Sequence, residues 1–234
     1  MPESQSAIDG FKRAVAERAV AMIADGMTVG LGSGTTAEFA LAALAARIAD
    51  GLRVVGVPTS ERTANLARRQ GIPLVPFDGR LIDLAIDGAD EIERGTLNLI
   101  KGGGGNLVRE KLVARASRRF VVIADDRKLV DRLGTHALLP VALLPFARAR
   151  ALIGLADVGA PGAIRQVDGR DFVTDDNLVI ADCTCGAIAD PLKLATRIAT
   201  VPGVVDCGLF VGLSGEVIVA GAAGVRTFTS VPRS

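Results

Sequence analysis

Five ionisable side chains and three glycine-bearing loops stand out as material for chemistry. Lys101 opens the run Lys101-Gly102-Gly103-Gly104-Gly105, where each glycine costs about 1 kcal/mol relative to alanine in any regular element, so something must require bare backbone. Close approach to a ligand is the natural requirement, with Lys101 as a cation at the entry and Asn106 placed to cap the helix that follows. Glu110 falls one turn into that helix and can look back toward the glycines. Asp87-Gly88-Ala89-Asp90-Glu91 adds further carboxylates. Clustered acids resist joint ionisation and partial burial acts the same way, so one carboxyl is expected to titrate toward about 6 to 7, where it serves as a general base. Glu110 is the expected base. The loop Gly32-Ser33-Gly34-Thr35-Thr36 joins small residues, backbone N–H groups and three hydroxyls ahead of a helix, which suits a single phosphate. Each feature also has an ordinary structural reading: a tight turn for the first loop, Asp-Gly turn and cap chemistry for the second, and a solvated helix face for Arg109-Glu110-Lys111.

Several other chemistries fit poorly. Gly30 and Gly32 with Thr35 miss the G-x-G-x-x-G dinucleotide fingerprint, and the next strand does not end in an acid that would hold a ribose hydroxyl. In a Walker loop the lysine follows the glycines and precedes Ser or Thr, the reverse of the order at Lys101. Asp87, Asp90 and Glu91 are oxygen donors that Mg²⁺ would accept, but the single histidine, His136, lies in no ligand-like spacing and Lys101 already supplies positive charge. Neither a bound metal ion nor NAD is therefore expected. No G-x-S-x-G elbow occurs, and Cys183, Cys185 and Cys207 lie outside the clustered loops, without C-x-x-C spacing, as reduced and mostly buried thiols.

The elements that must position these loops follow from periodicity. Phe11, Val15, Ala19, Met22 and Ile23 mark an amphipathic helix that Gly26 stops. Strand-like runs at 27–31, 52–57, 84–86, 97–100 and 120–123 alternate with helical patterns at 37–48, 61–69 and 107–116. This alternation indicates parallel strands with right-handed crossovers, an α/β sandwich whose sheet is covered on both faces. From about Pro140 the texture changes to short strands interleaved with helices near 147–158 and 192–198, which suits a small α+β unit. The runs 209–213 and 217–221 are expected to rejoin the first sheet. In open parallel sheets ligands bind beyond the carboxyl ends of the strands, which selects the glycine and aspartate loops together with Thr59-Ser60.

With 27 Lys and Arg against 26 Asp and Glu, the 234-residue chain has a net charge of +1, and it contains eight Phe but no Trp or Tyr. Neither a phosphate-backbone footprint nor a base-stacking platform is available, so no nucleic-acid partner is expected. The longest charge-free run, 133–147, is shorter than the about 18 to 20 residues of a membrane span and contains Pro140 and Pro145. No membrane partner and a cytoplasmic location are expected.

Taken in order, these residues resemble the ribose-5-phosphate isomerase A family. Gly30-Leu31-Gly32-Ser33-Gly34-Thr35-Thr36, Asp87-Gly88-Ala89-Asp90-Glu91, Lys101 to Gly105 with Arg109-Glu110-Lys111, Ala124-Asp125 with Lys128, and Pro202-Gly203-Val204-Val205 with Gly208-Leu209-Phe210 all fall in the family's order, across nearly the whole chain. Asn106, where a small apolar residue is usual, and Thr174-Asp175-Asp176-Asn177 depart from its pattern. The resemblance implies a Rossmann-like three-layer α/β sandwich (residues 1–135 and 207–234) with a small inserted α+β ferredoxin-like domain (136–206). It implies interconversion of D-ribose 5-phosphate and D-ribulose 5-phosphate through an enediolate, without metal or organic cofactor, within the pentose phosphate pathway, by a homodimer. Carried over by position, Glu110 is the base, Asp87 assists ring opening, and Lys101 with Asp90 and the Gly102–Gly104 backbone stabilises the enediolate. Ser33, Gly34, Thr35 and Thr36, Gly88 and Ala89, and Lys128 hold substrate, with Lys12 joining at the phosphate. Two readings from other classes stay open: a catalytically silent sugar-phosphate sensor, and a coenzyme A transferase-like enzyme using Glu110 as nucleophile.

Overall fold

The structure, a computed structural model, describes residues 4–229. In chain order the helices are α1 (Gln5–Val20), α2 (Thr35–Ala49), α3 (Glu61–Arg69), α4 (Leu107–Arg115), α5 (Arg148–Asp157) and α6 (Pro191–Ala199). The strands are β1 (Thr28–Leu31), β2 (Val55–Pro58), β3 (Ile82–Asp87), β4 (Glu91–Glu93), β5 (Leu99–Ile100), β6 (Ser117–Asp125), β7 (Leu129–Val130), β8 (Leu139–Leu143), β9 (Gly162–Ile164), β10 (Gln166–Val167), β11 (Arg170–Asp171), β12 (Val179–Cys183), β13 (Val204–Cys207), β14 (Leu209–Phe210), β15 (Glu216–Gly221) and β16 (Gly224–Thr229). Local chemistry sets the helix starts: the Ser4, Ser60 and Asp190 side chains each accept an N–H of the first turn, and Pro191 needs no donor where it stands.

The chain falls into two compact units. Among the described residues the first runs to Ala89, resumes over Arg109–Lys128 and takes in Gly212 to Thr229. Its six-stranded sheet has the order β16-β15-β6-β3-β1-β2, parallel except for β16 at one edge. Strand side chains alternate between faces. Val29 and Leu31, Leu84 and Ile86, Val121 and Ile123, and Ile218 and Ala220 share one core with Val15, Ala19 and Val20 of α1 and Leu41 and Leu44 of α2. Gly30 faces the other way, where a Cβ would stand 2.6 Å from Val113 of α4 and 2.7 Å from the Ala85 Cβ. Helices thus cover both faces, the α/β sandwich that the alternation predicts and the Rossmann-like three-layer arrangement that the resemblance implies.

The second unit comprises Asp90–Val108 and Leu129–Val211. Its antiparallel sheet β13-β8-β12-β9, with α5 after β8 and α6 after β12, is the ferredoxin-like β-α-β-β-α-β pattern. Leu139, Val141 and Leu143 of β8 and Val179, Ala181 and Cys183 of β12 pack with Ala151, Leu155 and Ile198 of the helices, while Ala142 and Ile180 face Leu107 and Phe172 on the other side.

Two sequence expectations need adjustment. Val217 to Gly221 lie in the first sheet, but Leu209–Phe210 pairs with β5 in a separate sheet, β14-β5-β4-β7. That sheet also draws residues 90–108, 129–135 and 207–211 into the second unit, where the sequence division places only 136–206.

Candidate active site

In the first unit, β1 delivers Gly32 to the carboxyl end of the sheet, and its N–H donates to Ile86 O at 2.9 Å. Asp87, 2% exposed, ends β3 and accepts the Ser33 N–H at 3.0 Å and the Gly88 N–H at 2.7 Å through Oδ1. A Cβ at position 32 would lie 2.3 Å from that oxygen and 2.6 Å from the Asp87 Cα, so glycine is obligatory there. The Ser33 hydroxyl turns into a cluster: it donates to Ser60 Oγ at 2.8 Å and meets Thr59 Oγ1 at 2.8 Å and Thr63 Oγ1 at 3.0 Å. Thr63 escapes a sequence reading because it lies within the first turn of α3, in no loop signature. Gly34, at φ +103°, is the N-cap of α2 and makes no side-chain cap, which leaves first-turn N–H groups for an anion. Lys12 of α1 reaches the same turn, donating to Thr35 Oγ1 at 3.0 Å.

Glu110 is 4% exposed, so the solvated-face reading does not hold for it. It precedes Val113 by three residues on α4, and Val113 lies over Gly30 and Ala85. Because the helix of a parallel crossover runs back against its strands, Glu110 stands about 4.5 Å further toward their carboxyl ends, the end that carries Gly32 and Asp87. Position 32 faces Asp87 on this same side of the sheet. Two buried carboxylates of the first unit therefore share a sheet face and a sheet end. Lys128 closes the short 3-10 turn after β6, beside Asp125. Burial pushes the Asp125 carboxyl up, but the 2.7 Å hydrogen bond and charge of Arg127, with the charge of Lys128, outweigh it and hold the group below the usual carboxylate range.

The second unit carries Asp90, Lys101 and the glycine run. Asp90 N–H donates to Ile100 O at 2.8 Å and Lys101 N–H to Gly208 O at 2.9 Å, so the strand pairs around β5 fix both residues. Lys101 is 2% exposed, with Nζ 5.6 Å from the centre of the Phe210 ring. Asp90 Oδ2 accepts the Gly103 N–H at 2.8 Å. Three of the four glycines answer to the protein itself. Gly102 has φ +100° and would place a Cβ 2.6 Å from that of Leu107, Gly103 would place one 2.7 Å from Asp90 Oδ1, and Gly105, at φ +85°, would place one 2.4 Å from the Phe172 ring. Only Gly104 is open, with the Asn106 Nδ2 at 3.5 Å as its nearest neighbour. Asn106 turns its amide back to donate to Gly104 O at 3.4 Å.

Glu91 has a role that its sequence context conceals. It is 1% exposed and accepts the N–H groups of Gly134 (2.6 Å), His136 (2.5 Å) and Ala137 (2.8 Å), bracing the turn before β8. Among the described residues no group of three or more His, Cys, Asp or Glu side chains is arranged to hold a metal ion. The site residues expected from the sequence divide by unit: Lys12, Ser33 to Thr36, Asp87 to Ala89, Glu110 and Lys128 in the first, and Asp90 and Lys101 to Gly104 in the second.

The family described as Ribose 5-phosphate isomerase A (phosphoriboisomerase A) matches residues 55–224. The chain belongs to that family. A ribose-5-phosphate isomerase A from Gloeobacter violaceus is 48% identical over 223 residues, covering 95% of this chain and 97% of the relative. The structure of ribose 5-phosphate isomerase A from Methanocaldococcus jannaschii superposes with a TM-score of 0.91 at 39% identity, covering 95% of this chain and 99% of that one. A D-ribose-5-phosphate isomerase structure in complex with phospho-erythronic acid gives a TM-score of 0.91 at 34% identity, with the same coverage of 95% and 99%.

Proposed function

We propose that this protein interconverts D-ribose 5-phosphate and D-ribulose 5-phosphate by proton transfer through an enediolate. The observation that carries the reading is the pair of buried carboxylates, Glu110 and Asp87, on one face at the carboxyl end of the parallel sheet. Buried charged groups are rarely retained without a task or a partner. Its membership of the isomerase family supplies the substrate class.

In the proposed reaction Asp87 exchanges protons at the sugar oxygens to open the ring. Glu110 removes the proton from C2 of the open aldose. The C–H electron pair becomes the C1–C2 double bond, and the carbonyl electrons move to O1. Lys101 and the glycine-loop amides stabilise that oxygen, a term that grows where water is excluded. The carboxyl of Glu110, now protonated, then returns the proton to C1 while the proton of the C2 hydroxyl passes to O1, so that the C2 oxygen becomes the carbonyl of the ketose. Asp90 orders the loop by holding Gly103, and Lys12, Lys128 and the turn from Ser33 to Thr36 bind the phosphate end. An aldonic acid, such as the one named with the related isomerase, carries two oxygens sharing a negative charge on one planar carbon and so mimics the enediolate, as a transition-state analogue should. By the same resemblance the enzyme works as a cytoplasmic homodimer; no helix among the described residues is long and apolar enough to cross a membrane. Light scattering that returns a monomer mass would overturn the dimer.

The test is isomerisation in deuterated water with a panel of aldose phosphates and a chelator present. Ribose 5-phosphate should give ketose with solvent deuterium at C1, and activity should survive the chelator. No turnover of any pentose phosphate, or label absent from the carbons in every product, would refute the proposal.

A further inference from the structure

Arg165 belongs to no motif read from the sequence, yet it is fixed on every side. Its N–H donates to Ile180 O at 2.7 Å, and its carbonyl accepts from Phe172 N at 2.8 Å, closing the β10–β11 hairpin. The guanidinium, in a side chain only 15% exposed, grips Asp182 with Nε at 2.8 Å and Nη2 at 2.5 Å, and it lies 5.5 Å from the centre of the Phe172 ring. Its remaining arm, Nη1, donates to the carbonyl of Gly103 at 2.8 Å. Phe172, under the same guanidinium, is the ring that keeps position 105 a glycine.

The consequence follows from peptide geometry. The Gly103 carbonyl and the Gly104 N–H belong to one planar trans amide and point in opposite directions, so holding the oxygen aims the hydrogen. A cation on the carbonyl also polarises the amide and strengthens its N–H as a donor. Asp90 holds the N–H of Gly103 itself, so that residue is pinned at both polar groups. Gly104 is exposed and sterically open. We propose that Arg165, braced by Asp182, is a positioning residue that aims and polarises the Gly104 N–H toward the negative oxygen formed during turnover. This rests on the isomerase reading given above. Arginine is required because a lysine can donate to Gly103 but cannot grip Asp182 with a planar fork at the same time.

The experiment compares Arg165→Met, Arg165→Lys and Asp182→Asn with the unaltered protein, well below the melting temperature. It measures kcat and KM for ribose 5-phosphate, the thermal midpoint, and the ¹⁵N–¹H resonance of Gly104. Arg165→Met should lower kcat by about 10- to 100-fold with KM changed less than about threefold, since a mis-aimed donor is lost chiefly in the transition state. Arg165→Lys should recover part of kcat, Asp182→Asn should fall between, and the Gly104 resonance should move in Arg165→Met. A kcat within twofold of the parent, or a loss matched by the unfolded fraction, would overturn the proposal. Should the unaltered protein not isomerise at all, the isomerase reading has failed instead. The Gly104 resonance still decides Arg165's hold on the loop, and no movement in Arg165→Met overturns it.

Discussion

Replacing the loop glycines one at a time with alanine separates what the protein requires of them from what a ligand requires. At Gly102 the new Cβ enters at φ +100° and 2.6 Å from the Leu107 Cβ. A strained backbone conformation costs about 1–3 kcal/mol and overpacking about 1–3 kcal/mol, so Gly102→Ala should lose about 2–6 kcal/mol. For a chain of this size that is a fall on the order of 10 °C in the thermal midpoint. Gly105→Ala, facing the Phe172 ring at φ +85°, should behave alike. Gly104 is not among the positive-φ glycines, and its nearest neighbour stands at 3.5 Å, so Gly104→Ala should melt at or slightly above the parent through the reduced entropy of the unfolded chain, worth about 0.4–1 kcal/mol. The same variant should lose at least about tenfold in kcat/KM, because a methyl then stands where substrate approaches the bare backbone. Calorimetry and steady-state kinetics read both quantities. If Gly104→Ala melts as low as Gly102→Ala, or Gly102→Ala melts like the parent, the division of the loop is refuted.

Three further outcomes follow from groups away from the loop. Glu91→Ala strips a buried carboxylate from three N–H donors and should cost about 3 kcal/mol or more, lowering the midpoint while kcat per folded molecule stays near the parent's; an unchanged midpoint contradicts the bracing role. Burial pushes the Cys183 thiol up to about 12 and Cys185 up to about 11. At pH 8 the Cys183 and Cys185 thiols should react with iodoacetamide more than about 100-fold slower than a free cysteine, whereas rapid native labelling of the half-buried Cys185 would refute its upward shift. The folded protein holds those protons after unfolded thiols, near 8.5, have lost theirs, so stability should fall as pH rises from about 9 toward the folded values; a stability flat to pH 11 would contradict this.

The alternation of apolar runs with helical patterns is enough to read the parallel sheet and its crossovers, because strands such as β3, β6 and β15 are long and buried. β16 escapes because an edge strand with mostly exposed residues carries no apolar signature. β4 and β7 are two or three residues long, too short for periodicity to register, and the apolar runs that mark β5 and β14 do not reveal that these two pair with each other, yet that small sheet moves residues 90–108 into the second unit. The candidate site residues are drawn from local patterns, the glycine run and the aspartate turn. The grip of Arg165 on Gly103 spans 62 positions, and no spacing rule announces such a contact. The glycines show the limit most plainly: sequence registers that bare backbone is needed, but only geometry separates Leu107, Asp90 and Phe172 as the reasons at three of them.

The central claim, that the Glu110 carboxylate carries the proton between adjacent sugar carbons, is tested most directly by Glu110→Gln assayed in deuterated water. The amide keeps the shape of the side chain but cannot accept the proton, so kcat should fall by about 10²- to 10⁴-fold, with substrate still bound and solvent label at C1 and C2 lost in proportion. Turnover and label incorporation close to the parent's would contradict the account.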